Sequence, residues 1–170
     1  MLLQDSRREA RAGDELVLLS EQDRLLWDRA EIAEGKTTLE RAIALRGPGP
    51  YQVQAAIADL HTEEETNWAH VAALYASLAV MQPSPVVKLN RAVAVAMSAG
   101  YEQGLAMIDR IEGLNRYHLF HSARADLLRR LGRNVEARAA YEAALEVAPG
   151  EIERRFLTRR IAELTADPEG

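Results

Sequence analysis

Two histidines close together are the first residues of this chain whose type and spacing could do chemistry. His118 and His121 are three residues apart on a predicted helix, a spacing that could place both imidazoles on one metal ion. A transition-metal site needs further ligands, and the chain's other histidines, His61 and His70, lie far away in sequence. We therefore predict neither a metal nor another cofactor, and we interpret the pair as packing or surface residues that could frame a groove.

Two arginines form the second pair of interest. Arg91 and Arg124 lie on predicted helices, and their separation, about 33 residues, is close to the length of one helical repeat. We call this separation the repeat interval; a repeat of that length would give both side chains similar orientations. Two guanidinium groups so placed could clamp an acidic group of a partner. The alternative, which we favour, is internal ion pairing with acidic side chains of the neighbouring helices, such as Asp109, Asp126 or Glu142.

The sequence contains no motif of a known catalytic site. A glycine-rich phosphate loop, a nucleophile elbow and a HExxH pair are all absent. The chain has no cysteine, which excludes a thiolate nucleophile, a disulfide framework and a sulfur-ligated zinc site. One predicted helix is acidic, with Asp23, Asp28, Glu31 and Glu34, but nothing in the sequence indicates a pocket around it. We predict that the protein is not an enzyme.

Charge and hydropathy limit the partners further. The net charge is −5, whereas proteins that bind nucleic acids draw affinity from basic surfaces, so we expect no direct DNA or RNA binding. One basic cluster alternates with glutamates on a predicted helix and indicates an ion-paired surface: Arg154, Arg155, Arg159 and Arg160 with Glu151, Glu153 and Glu163. No apolar stretch approaches the about 20 residues of a membrane span, and the N-terminus lacks a secretory core. We expect a soluble, cytoplasmic protein.

The elements that must position these residues are predicted to be helices. Hydrophobic residues make up 48% of the chain but aromatic residues only 5%, and alanine and leucine dominate, which favours close helix packing. No segment alternates like a half-buried strand. Glycine, proline and capping residues predict helices over 2–11, 21–34, 36–45, 51–61, 67–81, 85–98, 101–112, 117–131, 134–147 and 151–165.

Residues 116–149 indicate a helix–turn–helix repeat. The second half of this stretch has four residues at the spacing of the tetratricopeptide (TPR) repeat: Ala137, Tyr141, Ala144 and Pro149. A similar pair, Tyr75 and Pro83, lies two repeat intervals before Tyr141 and Pro149. A repeat of this kind cannot bury its apolar side alone. It stacks on its neighbours, and the resulting array usually binds another protein.

Four strings, in this order and spacing, resemble one class of bacterial proteins. They are LLSEQDRLLWDRAEIAEG (18–35), GPYQVQAAIADLH (49–61), SPVVKLNRAVAVA (84–96) and YHLFHSARADLLRRLGRNVEARAAYEAAL (117–145). This class is the extracytoplasmic-function (ECF) sigma factors that carry a long C-terminal TPR-like extension. The resemblance covers nearly the whole chain, and because it depends on several ordered motifs it is more specific than the TPR pattern alone.

The resemblance implies a regulatory role. In that family the sigma region-2 and region-4 domains, which contact promoter DNA and core polymerase, lie N-terminal to these motifs. The first string begins at Leu18, and the short stretch before it has no room for either domain. We therefore expect the chain to be the extension alone, as an expressed fragment or a truncated relative, without promoter binding of its own. The family implies that the extension governs sigma activity through the sigma domains, RNA polymerase core or another regulator.

Together these observations predict an all-α fold. Antiparallel helical hairpins would form a TPR-like α-solenoid over residues 50–165, with an N-terminal helical docking segment over 1–46, a C-terminal capping helix and a tail over 166–170. A groove lined by the first helices would bind a protein partner near Gln54, Arg91, His121 and Arg124. Two alternatives remain open. One is a free-standing TPR-like adaptor unrelated to transcription, and the other is a small-molecule sensor or enzyme that uses the groove.

Overall fold

The structure is a computed structural model, and it describes residue 6, residues 22–44 and residues 49–166, with only the backbone at 43, 165 and 166. Every regular element within these ranges is helical, which confirms the predicted all-α class for them. A 3-10 turn at Arg24–Leu26 precedes eight α-helices: α1 Arg29–Ala44, α2 Pro50–Leu60, α3 Trp68–Met81, α4 Pro85–Ala99, α5 Tyr101–Ile108, α6 His118–Arg130, α7 Asn134–Glu146 and α8 Glu151–Ala166. The predicted helix over 2–11 and the tail after residue 166 lie outside the described residues.

Local capping chemistry sets several of these helix ends. The side chain of Asn67 accepts a hydrogen bond from the His70 N–H at the start of α3, and Ser84 does the same for Val86 at the start of α4. Pro50 and Pro85 occupy the first turns of α2 and α4, where no backbone donor is needed. Because these signals are local, the predicted bounds of α2, α3, α4, α6, α7 and α8 agree with the structure to within one residue at each end.

Two regions of the helix prediction are wrong. We expected one helix to stop at Gly35 and another to begin at Lys36, but α1 runs through both residues, with Gly35 buried in its interior. The helix begins later than predicted, because the Asp28 carboxylate accepts hydrogen bonds from the N–H groups of Ala30 and Glu31 and caps its first turn. A glycine in a helix costs only about 1 kcal/mol relative to alanine, which packing can offset.

The helix predicted over 101–112 is the second error, since α5 ends at Ile108. The chain then leaves the helical path through Gly113, whose φ of 84° lies in the left-handed region that favours glycine. This turn brings Leu114 into the core, where it is buried. The helix thus ends about one turn earlier than predicted, and the connection that follows contributes a leucine to the core.

The described residues fall into two compact units that divide between Pro83 and Ser84. The predicted segments 1–46, 50–165 and 166–170 stay predictions. In the first unit α1 packs on α2 and α2 packs on α3. Trp27 is buried there, with the Arg24 guanidinium 4.7 Å from its ring centroid. Trp68 is half-buried and makes an edge contact with His61, at 5.4 Å between ring centroids.

In the second unit each helix packs on the next, from α4 to α8, and α4 also contacts α6. Gly100 alone separates α4 from α5, and three residues that include Gly132 separate α6 from α7. Both glycines have positive φ, 124° and 72°. Because packed helices joined by such short turns must reverse direction, α4–α5 and α6–α7 are two antiparallel hairpins.

The contact between α4 and α5 is unusually close. A Cβ atom added to Gly104 of α5 would lie 2.3 Å from Cβ of Ala96 and 2.8 Å from the carbonyl oxygen of Ala92. Glycine is therefore required at this position by packing rather than by backbone conformation. The buried positions recur one repeat interval later in the next hairpin: Ala92 and Ala125, Gly104 and Ala137, and Ile108 and Tyr141.

None of the helices in the described ranges combines the length and the apolar character that a bilayer-spanning segment needs.

Replacing Gly104 with alanine tests the close contact. At an exposed helix position this change would stabilise the fold by about 1 kcal/mol through helix propensity. Here the added methyl group has no room, so we expect the free energy of unfolding to fall by about 1–3 kcal/mol, measured by urea denaturation. Gln103→Ala, on the exposed side of the same helix, is the matched control and should change stability little. A stabilised Gly104→Ala variant would contradict the packing.

Candidate functional site

The four residues predicted to bind a partner are divided between the two units. Gln54 is exposed on α2 in the first unit, and its Nε2 donates a hydrogen bond to Oε1 of Gln82 at 3.4 Å. Arg91, His121 and Arg124 lie in the second unit on α4 and α6, which pack against each other. The structure thus brings these three onto neighbouring helices, while their role in binding stays a prediction.

Arg124 forms the internal ion pair that the sequence indicated. Its Nε donates to Oδ1 of Asp109 at 2.8 Å, and Asp109 immediately follows α5. The pair therefore ties the end of one hairpin to the first helix of the next. Arg91, one repeat interval earlier, is exposed and forms no ion pair with any residue that the structure describes. Internal pairing is confirmed for Arg124 and does not extend to Arg91.

The two histidines of α6 make local contacts. Nε2 of His121 lies 2.9 Å from the carbonyl oxygen of Asn115, so this nitrogen carries the proton and donates it. Its ring meets Phe120 edge-on at 5.2 Å, and the His118 ring meets Tyr117 at 5.8 Å. Within residues 22–44 and 49–166, no group of three or more histidine, aspartate or glutamate side chains could hold a metal ion.

Arg124 lies on the packed side of α6. Phe120 is four residues before it and Leu128 four residues after it, and both are buried. Residues four apart share one side of an α-helix, so the Arg124 side chain leaves the helix along the same side as these core residues. This position explains why its guanidinium is half-buried and paired, and it favours a structural role.

Another side of α6 is only partly covered, and the sequence-based prediction missed it. Leu119, Ala123, Asp126 and Arg130 follow one another at intervals of four, three and four residues, which places them on one stripe of the helix. Leu119 is 45% exposed, and Arg130 is also exposed. The helical period of residues 118–130 could have revealed this stripe, but the prediction followed the repeat interval of the arginines instead.

The same stripe recurs on α4. Its members lie one repeat interval before those of α6, and they are mostly apolar: Val86, Asn90, Val93 and Met97. Met97 is 37% exposed, and the others are half-buried. Since α4 contacts α6, the two stripes lie on neighbouring helices. We call these eight residues of α4 and α6 the open face.

A cluster of charges lies at the C-terminal end of the open face. The Asp126 carboxylate accepts a hydrogen bond from Arg129 at 2.8 Å and another from Arg130 at 2.7 Å. Arg130 also donates from Nη1 to the Tyr101 hydroxyl of α5 at 3.3 Å, and Arg129 interacts with the buried Tyr141 of α7. The cluster therefore joins three helices, and its two arginines share one carboxylate.

Burial and charge act in opposite directions on the pKa values of this cluster. Burial alone would raise the pKa of the Asp126 carboxyl, but the hydrogen bonds from Arg129 and Arg130 outweigh it and lower the pKa below its usual range. Burial raises the pKa of the Tyr141 hydroxyl. At neutral pH Asp126 is therefore ionised and Tyr141 is neutral. The guanidinium groups of this cluster can donate hydrogen bonds to an anionic group.

The Arg124–Asp109 pair can be tested with a double-mutant cycle. Both side chains are partly exposed, so we expect Arg124→Ala and Asp109→Ala to show a coupling of only about 0.2–1 kcal/mol. The coupling should shrink when the salt concentration rises from about 50 mM to about 1 M, because salt screens exposed charges. Urea denaturation of the four proteins measures it. A coupling that does not respond to salt would mean that the contact is not an ion pair.

The lowered pKa of Asp126 predicts a pH dependence of stability. Because the folded-state pKa is below the unfolded value of about 3.9, the stabilisation is complete above that value and is lost as pH falls through the folded pKa. Asp126→Asn should therefore remove part of the acid destabilisation seen by urea denaturation between about pH 5 and pH 2.

A second variant separates the two causes of this pKa shift. With Arg129 and Arg130 both replaced by glutamine, burial remains but the charged donors are gone, so the pKa of Asp126 should rise. Carboxyl-detected NMR titration of both proteins measures this directly. An Asp126 pKa that stays low in the double variant would assign the shift to something other than the arginines.

The chain is similar to known proteins, but none of the matches has a described activity. Residues 1–43 match DUF6596, a family of unknown function. Over 175 aligned residues the chain is 44% identical to the uncharacterized protein R00370 of Rhizobium meliloti (strain 1021), in an alignment that covers 99% of this chain. The chain spans 41% of the length of that relative. No solved structure matches the chain significantly.

Proposed function

We propose that this chain is a regulatory protein-interaction domain of an ECF-type RNA polymerase sigma factor, built as a TPR-like helical stack. It acts by binding the sigma domains, RNA polymerase core or another regulator, and it does so without catalysis. Different observations support the helical stack and the transcriptional role.

The TPR-like stack is supported by the second unit. Two hairpins, α4–α5 and α6–α7, follow each other at the repeat interval, and their first helices contact each other. The small residues of the hairpin contact recur at the same interval, as Ala92 with Gly104 and Ala125 with Ala137. A helical hairpin of this length that buries small residues against its partner helix is the structural unit of such repeats. This recurrence is the main observation that supports the proposal of an interaction domain.

The transcriptional role is supported by resemblance and by length. The four ordered strings that resemble sigma-factor extensions include residues of α1, α2, α4, α6 and α7. The R. meliloti relative is more than twice as long as the part that this chain matches. A longer relative has room for two sigma domains beside this region, as the resemblance requires. The acidic net charge of −5 is also better suited to a protein partner than to DNA.

A binding experiment tests the proposal. The full chain is immobilised, and purified RNA polymerase core, an ECF sigma region-2 domain and a region-4 domain from the same organism are each added in turn. We expect saturable binding to at least one of them by biolayer interferometry, and unlabelled chain in solution should compete for it. An unrelated helical protein of similar net charge is the control for nonspecific attraction.

The size of the native protein provides a second test of the proposal. An immunoblot of the source cells should detect a species of about twice 18.9 kDa or more, which leaves space for two sigma domains. If the chain binds none of the three probes and the native band lies at 18.9 kDa, the sigma-factor role is contradicted and a free-standing adaptor is favoured.

A further inference from the structure

We propose that the open face of α4 and α6 is the docking surface of this domain, and that its partner is a protein segment with an apolar side chain and a carboxylate about 10–16 Å apart. This inference rests on the proposed function, since it specifies the chemistry of the partner that the interaction domain binds.

The apolar part of this surface lies toward the N-terminal ends of the two helices. Leu119 is 45% exposed on α6, and Val86 occupies the equivalent position on α4. Ile152 of α8 lies one further repeat interval along the chain and is 38% exposed. Val86 is half-buried and packs partly against the core, whereas Leu119 and Ile152 are exposed aliphatic residues at positions where a solvated helix face would be polar.

The charged part lies at the other end of α6. Arg129 and Arg130 share the single carboxylate of Asp126, so the cluster retains one positive charge. Arg130 directs Nε to Asp126 and Nη1 to Tyr101, which leaves its Nη2 without a hydrogen-bond partner among the described residues. A carboxylate is the group that best complements a guanidinium with a free donor.

The separation of the two parts sets the spacing in the partner. A rise of about 1.5 Å per residue places the Cα atoms of Leu119 and Arg130 about 16 Å apart along the axis of α6. The Arg130 guanidinium is hydrogen-bonded to Asp126, whose Cα lies about 10 Å from that of Leu119 along the axis, so the apolar and charged groups lie about 10–16 Å apart. An extended segment spans this range in about three to five residues, and a helix in about 7–11. The fixed spacing between an apolar and an acidic group is what would distinguish the partner from other acidic proteins.

Selection from a library of phage-displayed random peptides, each long enough to hold either spacing, tests the inference on the immobilised full chain. We expect the enriched peptides to combine an apolar residue with aspartate or glutamate at one of these two spacings. Synthetic copies of them should lose affinity about tenfold or more on Arg130→Ala and on Leu119→Ala, measured by fluorescence anisotropy. Arg130→Lys, which keeps the charge, should recover part of the affinity.

Matched controls lie on α7, on a surface that the proposal does not use. Arg138 is exposed and paired with Glu142, so Arg138→Ala removes a comparable arginine. Val135 is 85% exposed, so Val135→Ala removes a comparable aliphatic group. Both should leave peptide affinity unchanged. Circular dichroism and melting temperature must show that all variants fold alike, and any variant that fails this check is replaced by its conservative form, Arg130→Lys or Leu119→Met.

Several results would overturn the inference. They are enrichment of basic or purely apolar peptides, equal binding to all variants, protection of the open face by a second copy of the chain in solution, and competition by single-stranded DNA. The same variants tested against polymerase core and the sigma domains separate the two proposals. If these proteins bind equally to Arg130→Ala, the docking surface is wrong while the sigma role stands. If the peptides bind as expected but none of these proteins does, the surface stands and the sigma role is wrong.

Discussion

The close contact between α4 and α5 is the constraint on which the second unit depends. At Gly104 the two helices approach so closely that a single added methyl group would meet both a side chain and a backbone carbonyl. Contact at this distance places many atoms of both helices within dispersion range, and it needs small residues on both sides. It also positions the end of α5. In the connection from there to α6, Leu114 is buried in the core and Asp109 forms an ion pair with Arg124 of α6.

The packing of neighbouring helices determines which sides of α6 are exposed. This helix contacts α5, α7 and α4, so most of its circumference is committed to packing. Arg124 leaves along one of the packed sides and pairs with Asp109, whereas Leu119 is exposed and Arg130 reaches Tyr101 of α5 while keeping part of its side chain exposed. The polar residues of α6 therefore differ in exposure. Arg124 ties two helices together from a packed side, and Arg130 contacts α5 from a side that is only partly covered.

The sequence predicted the helices well because their limits depend on local chemistry. Proline at the first turn, serine or asparagine at the cap and glycine at a reversal act within a few residues, and they located six helices to within one residue. The errors lie where a local signal misled or was overlooked, or where long-range contacts follow. Gly35 predicted a break but lies buried inside α1, and the Asp28 cap that starts this helix was overlooked. After α5 the connection places Leu114 in the core, a long-range contact that cannot be recognised in a short window of sequence.

The candidate site was predicted less well than the fold, and the reason is geometric. The repeat interval identifies equivalent positions in successive units, but it does not say toward which neighbour the side chains at those positions point. Arg91 and Arg124 are equivalent in this sense, yet one is exposed and the other is paired. The stripe that contains Leu119 and Arg130 could be found from the helical period alone. Which stripe is open, however, depends on the packing of α4, α5 and α7 around α6.

The arginine–aspartate cluster shows how such a stripe becomes suited to recognition. A free arginine has many rotamers, and fixing it on binding costs roughly 0.5–1.5 kcal/mol. Arg130 is already held by Asp126 and Tyr101, and Arg129 by Asp126 and the buried Tyr141. Asp126 can hold both because its carboxylate is ionised at neutral pH, and the two arginines lower its pKa further despite its burial. Much of the ordering of these guanidinium groups is therefore achieved during folding. A carboxylate that arrives at this end of α6 meets donors in fixed positions, and less of its binding free energy is lost in ordering them.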